Sequence, residues 1–148
     1  MSAEDIMIKK AEYMDLGLIS LLMHTVFMTK MQSHYGEEGK KSFLEQIELA
    51  SLQKRFLQGN VFYISENMTA VLEVEAPCHI AFLFVQEEEQ GFGKALLSQA
   101  LKDTAQDICT VGAFEEAIGF YRKVGFKTIS DEKIFHGMAF TLMAKHLS

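Results

Sequence analysis

A glycine-rich turn at residues 90–95 is the part of the sequence best suited to bind an anion. It follows an apolar run at residues 79–85 and precedes a helical pattern that begins at Gly93. The first N–H groups of a helix lack intrahelical partners, and the helix dipole adds about +0.5 charge there. Glycine also lets the backbone approach a ligand closely. Because two glycines can also serve only to make a tight turn, the residues alone leave both interpretations open.

Three consecutive glutamates, at residues 87–89, stand directly before this turn. Solvated carboxylates can point away from a ligand that the backbone amides face, and exposed charges are screened over about 8–10 Å. We therefore expect the turn to bind phosphate, but more weakly than an uncharged turn would. The nucleotide-binding pattern GxxxxGK[ST] is absent and the dinucleotide pattern GxGxxG is incomplete, so neither of these ligand classes is favoured.

The composition predicts a single globular domain, residues 1–148. Apolar residues make up 49% of the chain and charged residues 23%, which is ordinary for a globular domain. The net charge of −6 disfavours nucleic acid as a partner, because its phosphates would be repelled. The sequence shows no signal-peptide pattern and no apolar run of about 20 residues. Since Cys78 and Cys109 lie in apolar runs without metal-ligand spacing, we expect a cytoplasmic protein with reduced thiols, no membrane partner and no metal.

The beginning of the chain predicts a short strand followed by two helices. The strand ends near Ala11, and Asp15 can cap the first helix. The apolar positions of that helix are Leu18, Leu21, Leu22, Val26 and Phe27. After a polar break, a single second helix is predicted as far as Gly59. Its apolar positions are Phe43, Ile47, Leu49, Leu52 and Phe56.

A hairpin and then a βαβ unit follow. Strands at residues 61–64 and 69–75 predict the hairpin, and alternation puts Glu73 and Glu75 on the same face of the second strand. Residues 79–85 are apolar without alternation, which indicates a strand covered on both faces, as in a parallel sheet. The remaining predicted elements are a helix from Gly93 to about Asp107, a strand at 108–111, a helix at 115–123 ended by Gly125, and strands at 126–129 and 138–143. This order predicts a mixed-sheet α/β domain.

Three stretches of the sequence together resemble the GNAT superfamily of acyl-CoA-dependent N-acyltransferases. They are the strand HIAFLFV, the turn and helix QGFGKALL, and the later segment AIGFYRKVGF. The resemblance covers essentially the whole chain. It implies a mixed, mostly antiparallel central sheet of about six to seven strands, flanked by about four helices, with a βαβ core that binds acyl-CoA. It also implies transfer of an acetyl group from acetyl-CoA to a primary amine.

The resemblance assigns residues to the acetyl-CoA site. The pantetheine arm would lie along Phe84 and Val85. The residues around the diphosphate would be Gln90, Gly91, Phe92, Gly93, Lys94 and Ala95. Members of the family commonly have the pattern V-x-x-x-x-Q-G-x-G-x-G. The spacing from Val85 to Gln90 is kept, but the loop then runs straight to Phe92 and Gly93 and reaches the helix two residues early. If the glycines are aligned instead, Glu88 stands where Gln or Arg is usual. Either alignment predicts that one or two amide donors are missing or displaced.

The segment FYRKVGF resembles the family motif whose tyrosine lies beside the CoA sulfur, which makes Tyr121 the predicted general acid for the leaving thiolate. Transfer also needs a base, because an ammonium ion is not nucleophilic. By resemblance Glu73 occupies a strand position that faces the acceptor site, and Glu75 and His79 are the alternatives. The family often has Asn or Ser where this chain has Phe114, which removes a polar contact to the cofactor.

Two further interpretations stand beside the acetyltransferase. The shortened, acidic turn favours a catalytically weakened binding or regulatory module of the same fold. A nucleotide-binding α/β domain unrelated to acyl transfer is disfavoured by the incomplete fingerprints. The acceptor is predicted to be a small-molecule or peptide amine, with His24, His34 and Tyr35 as candidate contacts. By resemblance, the C-terminal strands offer a surface for a homodimer.

Overall fold

The computed structural model describes residues 6–88 and 90–147, so Glu89 of the acidic run lies outside the described residues. The strands of the described part are β1 Ile8–Lys10, β2 Val61–Ser65, β3 Ala70–Glu75, β4 His79–Val85, β5 Ile108–Ala113, β6 Lys127–Thr128, β7 Lys133–Phe135 and β8 Met138–His146. Its helices are α1 Leu16–Val26, α2 Glu37–Gln46, α3 Leu49–Leu57, α4 Phe92–Asp103 and α5 Ile118–Lys123. Within these residues no helix is both long and apolar enough to cross a membrane.

The strands form one sheet in the order β1-β2-β3-β4-β5-β8-β6, and β7 pairs with β8. All neighbours are antiparallel except β4 and β5, which are parallel and joined by α4. The predicted fold class, a mixed and mostly antiparallel sheet around a βαβ core, is confirmed. The sheet has one more strand than expected, β7, which has three residues.

The sheet separates two apolar clusters. One lies under α4 and α5 and includes Leu72 and Leu96, and the other lies under α1, α2 and α3 and includes Val71 and Phe43. The neighbours Val71 and Leu72 of β3 thus point to opposite faces, as the alternation predicts. Full burial of side chains of this size contributes about 1.5–3 kcal/mol each to stability.

The predicted second helix is in fact two helices, α2 and α3. Glu48 is extended between them and stands at the N-cap of α3. Carbonyls at the break find partners elsewhere in the chain: Ser20 Oγ donates to the Ile47 oxygen at 2.7 Å, and Arg55 Nη1 donates to the Gln46 oxygen at 2.9 Å. These partners satisfy groups that a helix end would otherwise leave orphaned. The continuous-helix prediction was wrong because the apolar spacing does not reveal such distant partners.

The buried face of α1 includes the predicted Leu22 and Val26 but differs from the prediction at Leu18 and Leu21. Leu16, Ile19 and Met23 are fully buried, whereas Leu18 is 57% exposed and Leu21 is 63% exposed. The helix has apolar residues around most of its circumference, so its spacing is compatible with more than one buried face. Packing against the sheet, and not the spacing, selects the face.

Helix α2 is held against the β7–β8 hairpin by a close approach of two backbones. The hairpin turns at His136 and Gly137, which have φ of 50° and 76°, as a two-residue turn with the twist of the strands requires. A Cβ added to Gly39 of α2 would lie 2.6 Å from the Gly137 oxygen. The hairpin can therefore lie against α2 only where α2 has no side chain.

We expect Gly39→Ala to lower the thermal unfolding midpoint, although alanine is the better helix former by about 1 kcal/mol. The added methyl group meets a backbone oxygen, and such overpacking typically costs about 1–3 kcal/mol. The matched control is Gly17→Ala in α1, where an added Cβ has no neighbour within 4 Å and the midpoint should rise. A rise in both variants would show that α2 and the hairpin are not in tight contact.

Candidate active site

The site is built on a parallel strand pair that separates after two positions. His79 pairs with Thr110 and Ile80 with Val111, and the described residues contain no further β4–β5 pair. On its other edge β4 stays paired with β3 through Val85. The register there passes from Phe82 to Ile80 between successive residues of β3, so Ala81 forms a bulge, which bends and twists a strand. The two strands diverge towards their carboxyl ends and leave a cleft between them.

The cleft is narrow and apolar. Its volume is about 40 Å³, and its walls include residues of β4, β5 and the start of α5. Among the described residues that line it, Tyr121 is the one with a polar side chain. The facing backbone edges of the diverged strands have no strand partner, so their N–H and C=O groups can pair with an extended ligand.

The glycine-rich turn opens at the carboxyl end of β4. Gly91 has φ 83° and stands at the N-cap of α4, a conformation that favours glycine. The first intrahelical bond runs from Ala95 N to the Gly91 oxygen at 3.0 Å, which leaves the preceding amides of the first turn without intrahelical partners. Gly91 and Gly93 therefore bracket the start of the helix.

The side chains of this turn divide into buried and exposed groups. Glu87, Glu88 and Gln90 are exposed, as is Lys94, while Phe92 is buried in the first turn of α4. The charged carboxylates that the structure describes thus lie in solvent. The amide donors, in contrast, belong to a helix of 12 residues, whose positive dipole end faces the turn.

Gly93 has a packing role that is independent of any ligand. A Cβ there would lie 3.2 Å from the Phe120 ring. The glycine therefore permits the close contact between α4 and α5. Since Phe120 stacks edge-to-face on Tyr121 at a centroid distance of 5.1 Å, this contact also connects the turn to the tyrosine.

The two β4 residues predicted to lie along pantetheine differ in their orientation. Phe84 is 1% exposed and its ring packs edge-to-face on Phe43 at a centroid distance of 5.8 Å, so only its backbone is available to a ligand. The Val85 side chain is partly buried on the α4 face.

The end of α5 fixes Tyr121. Phe126 N donates to the Tyr121 oxygen at 2.9 Å and Gly125 N donates to the Arg122 oxygen at 3.1 Å. Gly125 has φ 100°, so the chain closes in a Schellman motif. The motif's usual apolar contact is present, because the Phe126 and Tyr121 rings lie 5.4 Å apart. The sequence YRKVGF thus specifies both the end of α5 and the position of Tyr121.

Tyr121 is held as a neutral phenol. Tyr121 is 3% exposed. Burial raises the pKa of its hydroxyl above the ordinary value near 10, and Cys109 raises it further by a smaller amount. A charged phenolate is disfavoured in such surroundings. At neutral pH the group can therefore donate a proton into the cleft.

Glu73 lies in a buried ion pair and not in the cleft. Its side chain is fully buried, and Arg55 donates to it through Nε at 2.6 Å and Nη2 at 3.0 Å. Asn60 Nδ2 donates to the same carboxylate at 2.7 Å. Both carboxylate oxygens are therefore occupied, which argues against the predicted base and for a structural role. Since Arg55 also binds the α2 terminus, the pair ties α2, α3 and β3 together.

The alternative bases also lie outside the cleft lining. Glu75 is exposed at the end of β3. His79 Nδ1 is 2.8 Å from Thr110 Oγ1, and burial lowers the pKa of its imidazole, while the nearby Glu75 opposes that shift. His79 begins β4, at the end remote from the glycine turn. The geometry thus brings none of the three candidate bases to Tyr121.

Lys30 is a residue that sequence reasoning missed. It belongs to a π-helical turn, Phe27–Met31, that continues α1. Its Nζ donates to the Gln86 oxygen and lies 3.5 Å from the Val85 oxygen. The structure thus places a cation where β4 runs into the acidic turn. Its sequence position carries no signal of this, because the partners are 55 and 56 residues away.

A lysine-lined groove lies next to the turn, between α4 and α5. Its volume is about 350 Å³, its walls include Leu97, Leu101 and Phe120, and its lysines are Lys94, Lys123 and Lys145. Lys145 Nζ also donates to the Val124 oxygen at 2.7 Å. An anionic ligand with a flat ring would find both an apolar wall and positive charge here.

The predicted acceptor contacts are dispersed. His24 Nδ1 lies 2.8 Å from the Ser20 oxygen of its own helix, and His34 is exposed. Tyr35 packs on Phe43 and Phe114, and its hydroxyl is buried without a hydrogen-bond partner among the described residues. Within the same residues no group of three or more His, Cys, Asp or Glu side chains is arranged for a metal ion.

Comparison with known proteins places this fold and cleft in a family. The model of the acetyltransferase (GNAT) domain matches residues 31–147. The chain therefore belongs to the GNAT acetyltransferases, and the resemblance noted in the sequence is confirmed. A search of curated proteins found no match.

Solved structures with the same fold are distant in sequence. A GCN5-related N-acetyltransferase from Rhodopseudomonas palustris is 19% identical, with 95% of each chain covered and a TM-score of 0.82. The PaiA N-acetyltransferase from Thermoplasma acidophilum, solved in complex with coenzyme A, is 17% identical, with 96% of this chain and 99% of that chain covered and a TM-score of 0.76. An N-acetyltransferase from Staphylococcus aureus Mu50 is 16% identical over 96% of this chain and 97% of that one, with a TM-score of 0.73.

We expect Glu73→Gln to destabilise the protein by about 3 kcal/mol, because it leaves the Arg55 cation partly buried without its counter-charge. Urea unfolding measures this loss. The matched control is Glu75→Gln on the same strand, whose exposed side chain should change stability by less than about 0.5 kcal/mol. If Glu73→Gln instead kept full stability and lost acetyl transfer, the carboxylate would be the catalytic base.

Proposed function

We propose that this protein transfers an acetyl group from acetyl-CoA to a primary amine by direct attack of the amine on the thioester. One observation carries the proposal: the parallel strands β4 and β5 diverge beside the N-terminus of α4, and Tyr121 is the polar side chain in the cleft so formed. Membership of the GNAT family supports it.

The acetyl-CoA site would use backbone more than side chains. The pantetheine arm would pair with the free edge of β4 at Phe84 and Val85, and the diphosphate would meet the amides of residues 90–95 at the start of α4. Lys30 would offset part of the charge of Glu87 and Glu88. The lysine-lined groove between α4 and α5 would take the adenosine end. The cofactor is thus acetyl-CoA as a co-substrate, without a metal.

The residues of the cleft would act mainly by positioning and by one proton transfer. An extended thioester against the β4 edge would have its carbonyl oxygen near strand N–H groups, which stabilise the charge that develops on attack. Tyr121, neutral at pH 7, would donate its proton to the departing thiolate. The reaction requires no covalent intermediate on the protein.

A second candidate function is a binding or regulatory module of the same fold that has lost efficient catalysis. The exposed carboxylates Glu87 and Glu88 beside the phosphate turn motivate it. Release of CoA thiol in the presence of an amine separates the two functions. Both would bind CoA, but only the enzyme would release the thiol.

The cysteines support a cytoplasmic setting, and the C-terminal strands support a homodimer. Cys78 and Cys109 are free and buried, which suits the reducing cytoplasm. Ile129, Ile134 and Phe135, on or next to the C-terminal strands, are more than half exposed and would form the contact of a homodimer. A small-molecule or peptide amine is the remaining partner.

We expect acetyl-CoA and free CoA to raise the thermal unfolding midpoint and ADP to raise it less. Ligand at 100-fold over its dissociation constant adds about 2.7 kcal/mol, or roughly 5–10 °C for a domain of this size. Lys30→Gln should reduce the shift because it removes the cation at the turn. Lys54→Gln, which removes an exposed lysine of α3, is the control. Without any shift at millimolar acetyl-CoA, the phosphate site is lost and the proposed function fails.

We expect Tyr121→Phe to lower kcat by about 10²-fold or more while KM for acetyl-CoA stays nearly constant, because only the proton donor is removed. The phenyl ring keeps the packing on Phe126. Steady-state release of CoA thiol measures the effect, and Tyr13→Phe at an exposed tyrosine serves as control. An unchanged kcat would assign the protonation of the thiolate to solvent.

A further inference from the structure

We infer that the acceptor is an apolar, weakly basic amine of the arylamine class, whose uncharged nitrogen reaches the cleft while its ring lies against the partly exposed phenyl rings beside it. The inference rests on the proposed function and concerns the same site. Its starting point is the side of the cleft turned towards α2, where the walls are aromatic and the described lining offers no carboxylate, imidazole or amide side chain.

The acceptor side of the cleft is a wall of phenyl rings. Phe82 and Phe114 line the cleft and are partly exposed. Both rest on the buried ring of Phe43, at centroid distances of 5.7 and 5.9 Å. On β5, Gly112 leaves room for Phe140, whose partly exposed ring would lie 3.2 Å from a Cβ at that position. Flat apolar surfaces of this kind favour another aromatic ring by stacking or edge-to-face contact.

The charges around this wall disfavour an ammonium group. The Arg55 guanidinium lies over the Phe82 ring, 5.3 Å from its centroid, so the cation–π position of that ring is already filled. The carboxylate of Glu73 is taken up by Arg55 and Asn60. A cationic acceptor would therefore meet an ion pair that is already neutralised and find no free counter-charge among the described lining residues, and burying an unpaired charge is strongly unfavourable.

Charged groups at the rim do not alter this balance. Glu116 is exposed in solvent, and its charge reaches the nearby Tyr35, whose pKa is raised chiefly by burial. Lys30 adds a further positive charge at the end of β4. Neither Glu116 nor Lys30 lines the cleft, so neither can accept a proton from an amine at the thioester.

The protonation state of the amine at pH 7 points to the same acceptor class. An alkylamine with a pKa near that of lysine, about 10.4, is more than about 99% ammonium at pH 7, and the cleft offers no base to deprotonate it. An arylamine is already neutral. As its nitrogen bonds to the carbonyl carbon and the C–S bond breaks, one N–H proton passes to the Tyr121 oxygen and the Tyr121 proton passes to sulfur. Amine and thioester become amide and thiol, and Tyr121 is restored.

The test compares isomeric amines on the native protein. 4-Methylaniline and benzylamine share one formula and one ring but differ in basicity, and cyclohexylamine lacks the ring. With saturating acetyl-CoA at pH 7, kcat/KM for 4-methylaniline should exceed that for benzylamine by at least about tenfold, because little benzylamine is uncharged. Below the pKa of benzylamine its kcat/KM should rise about tenfold per pH unit, while that of 4-methylaniline should stay nearly flat.

Two variants at one position separate charge from shape. Phe114→Asp places a carboxylate on the wall and should shift the preference towards benzylamine, whereas Phe114→Leu should keep the preference for 4-methylaniline. The ratio of the two rates is insensitive to partial loss of folded protein, so it remains readable if a variant is less stable.

A preference of the native protein for benzylamine or a lysine peptide, with a pH-independent rate, would overturn the inference. So would acetylation of neither isomer by a protein that CoA stabilises. If acetyl-CoA gave no thermal shift, the proposed function itself would fail, which is a different outcome.

Discussion

Two residue pairs hold β4 beside β5, His79 with Thr110 and Ile80 with Val111, and the site depends on the strands separating beyond them. If β4 and β5 were paired along their whole length, the cleft would be closed. The backbone N–H and C=O groups that a ligand needs would then be bonded between the two strands. The bulge at Ala81 bends β4 just where pairing stops, since a bulge adds twist and removes a ladder partner. β3 stays paired with the other edge of β4 as far as Val85, so β4 separates from β5 while it remains part of the sheet.

The glycine-rich turn and Tyr121 are connected by direct packing. Gly93 admits the Phe120 ring, and Phe120 packs on Tyr121, which the Schellman motif fixes through Phe126. A ligand at the turn would be bound through backbone amides, whose direction the helix sets, so acidic side chains beside it would change the field but not the donors. This is why a turn preceded by glutamates can retain the architecture of a phosphate site.

Polar residues were the hardest to interpret from the sequence. Glu73 was predicted to face the acceptor site, but its carboxylate pairs with Arg55, 18 residues away on a helix, and no pattern indicates such a pair. Lys30 gave no signal at all for the same reason. Tyr121 and the turn were predicted from local sequences, YRKVGF and QGFGK, which specify a helix end and a helix start through short-range backbone bonds.

The sequence by itself determined the class of fold, the βαβ unit, the glycine positions at both helix termini and the family. All of these depend on periodicity or on contacts between residues close in the chain. Only the tertiary structure decided which face of α1 is buried, that α2 and α3 are separate helices, that Glu73 serves an ion pair, and that the cleft is lined by phenyl rings. These features arise from contacts between distant segments, where each side chain competes for partners that local spacing does not encode.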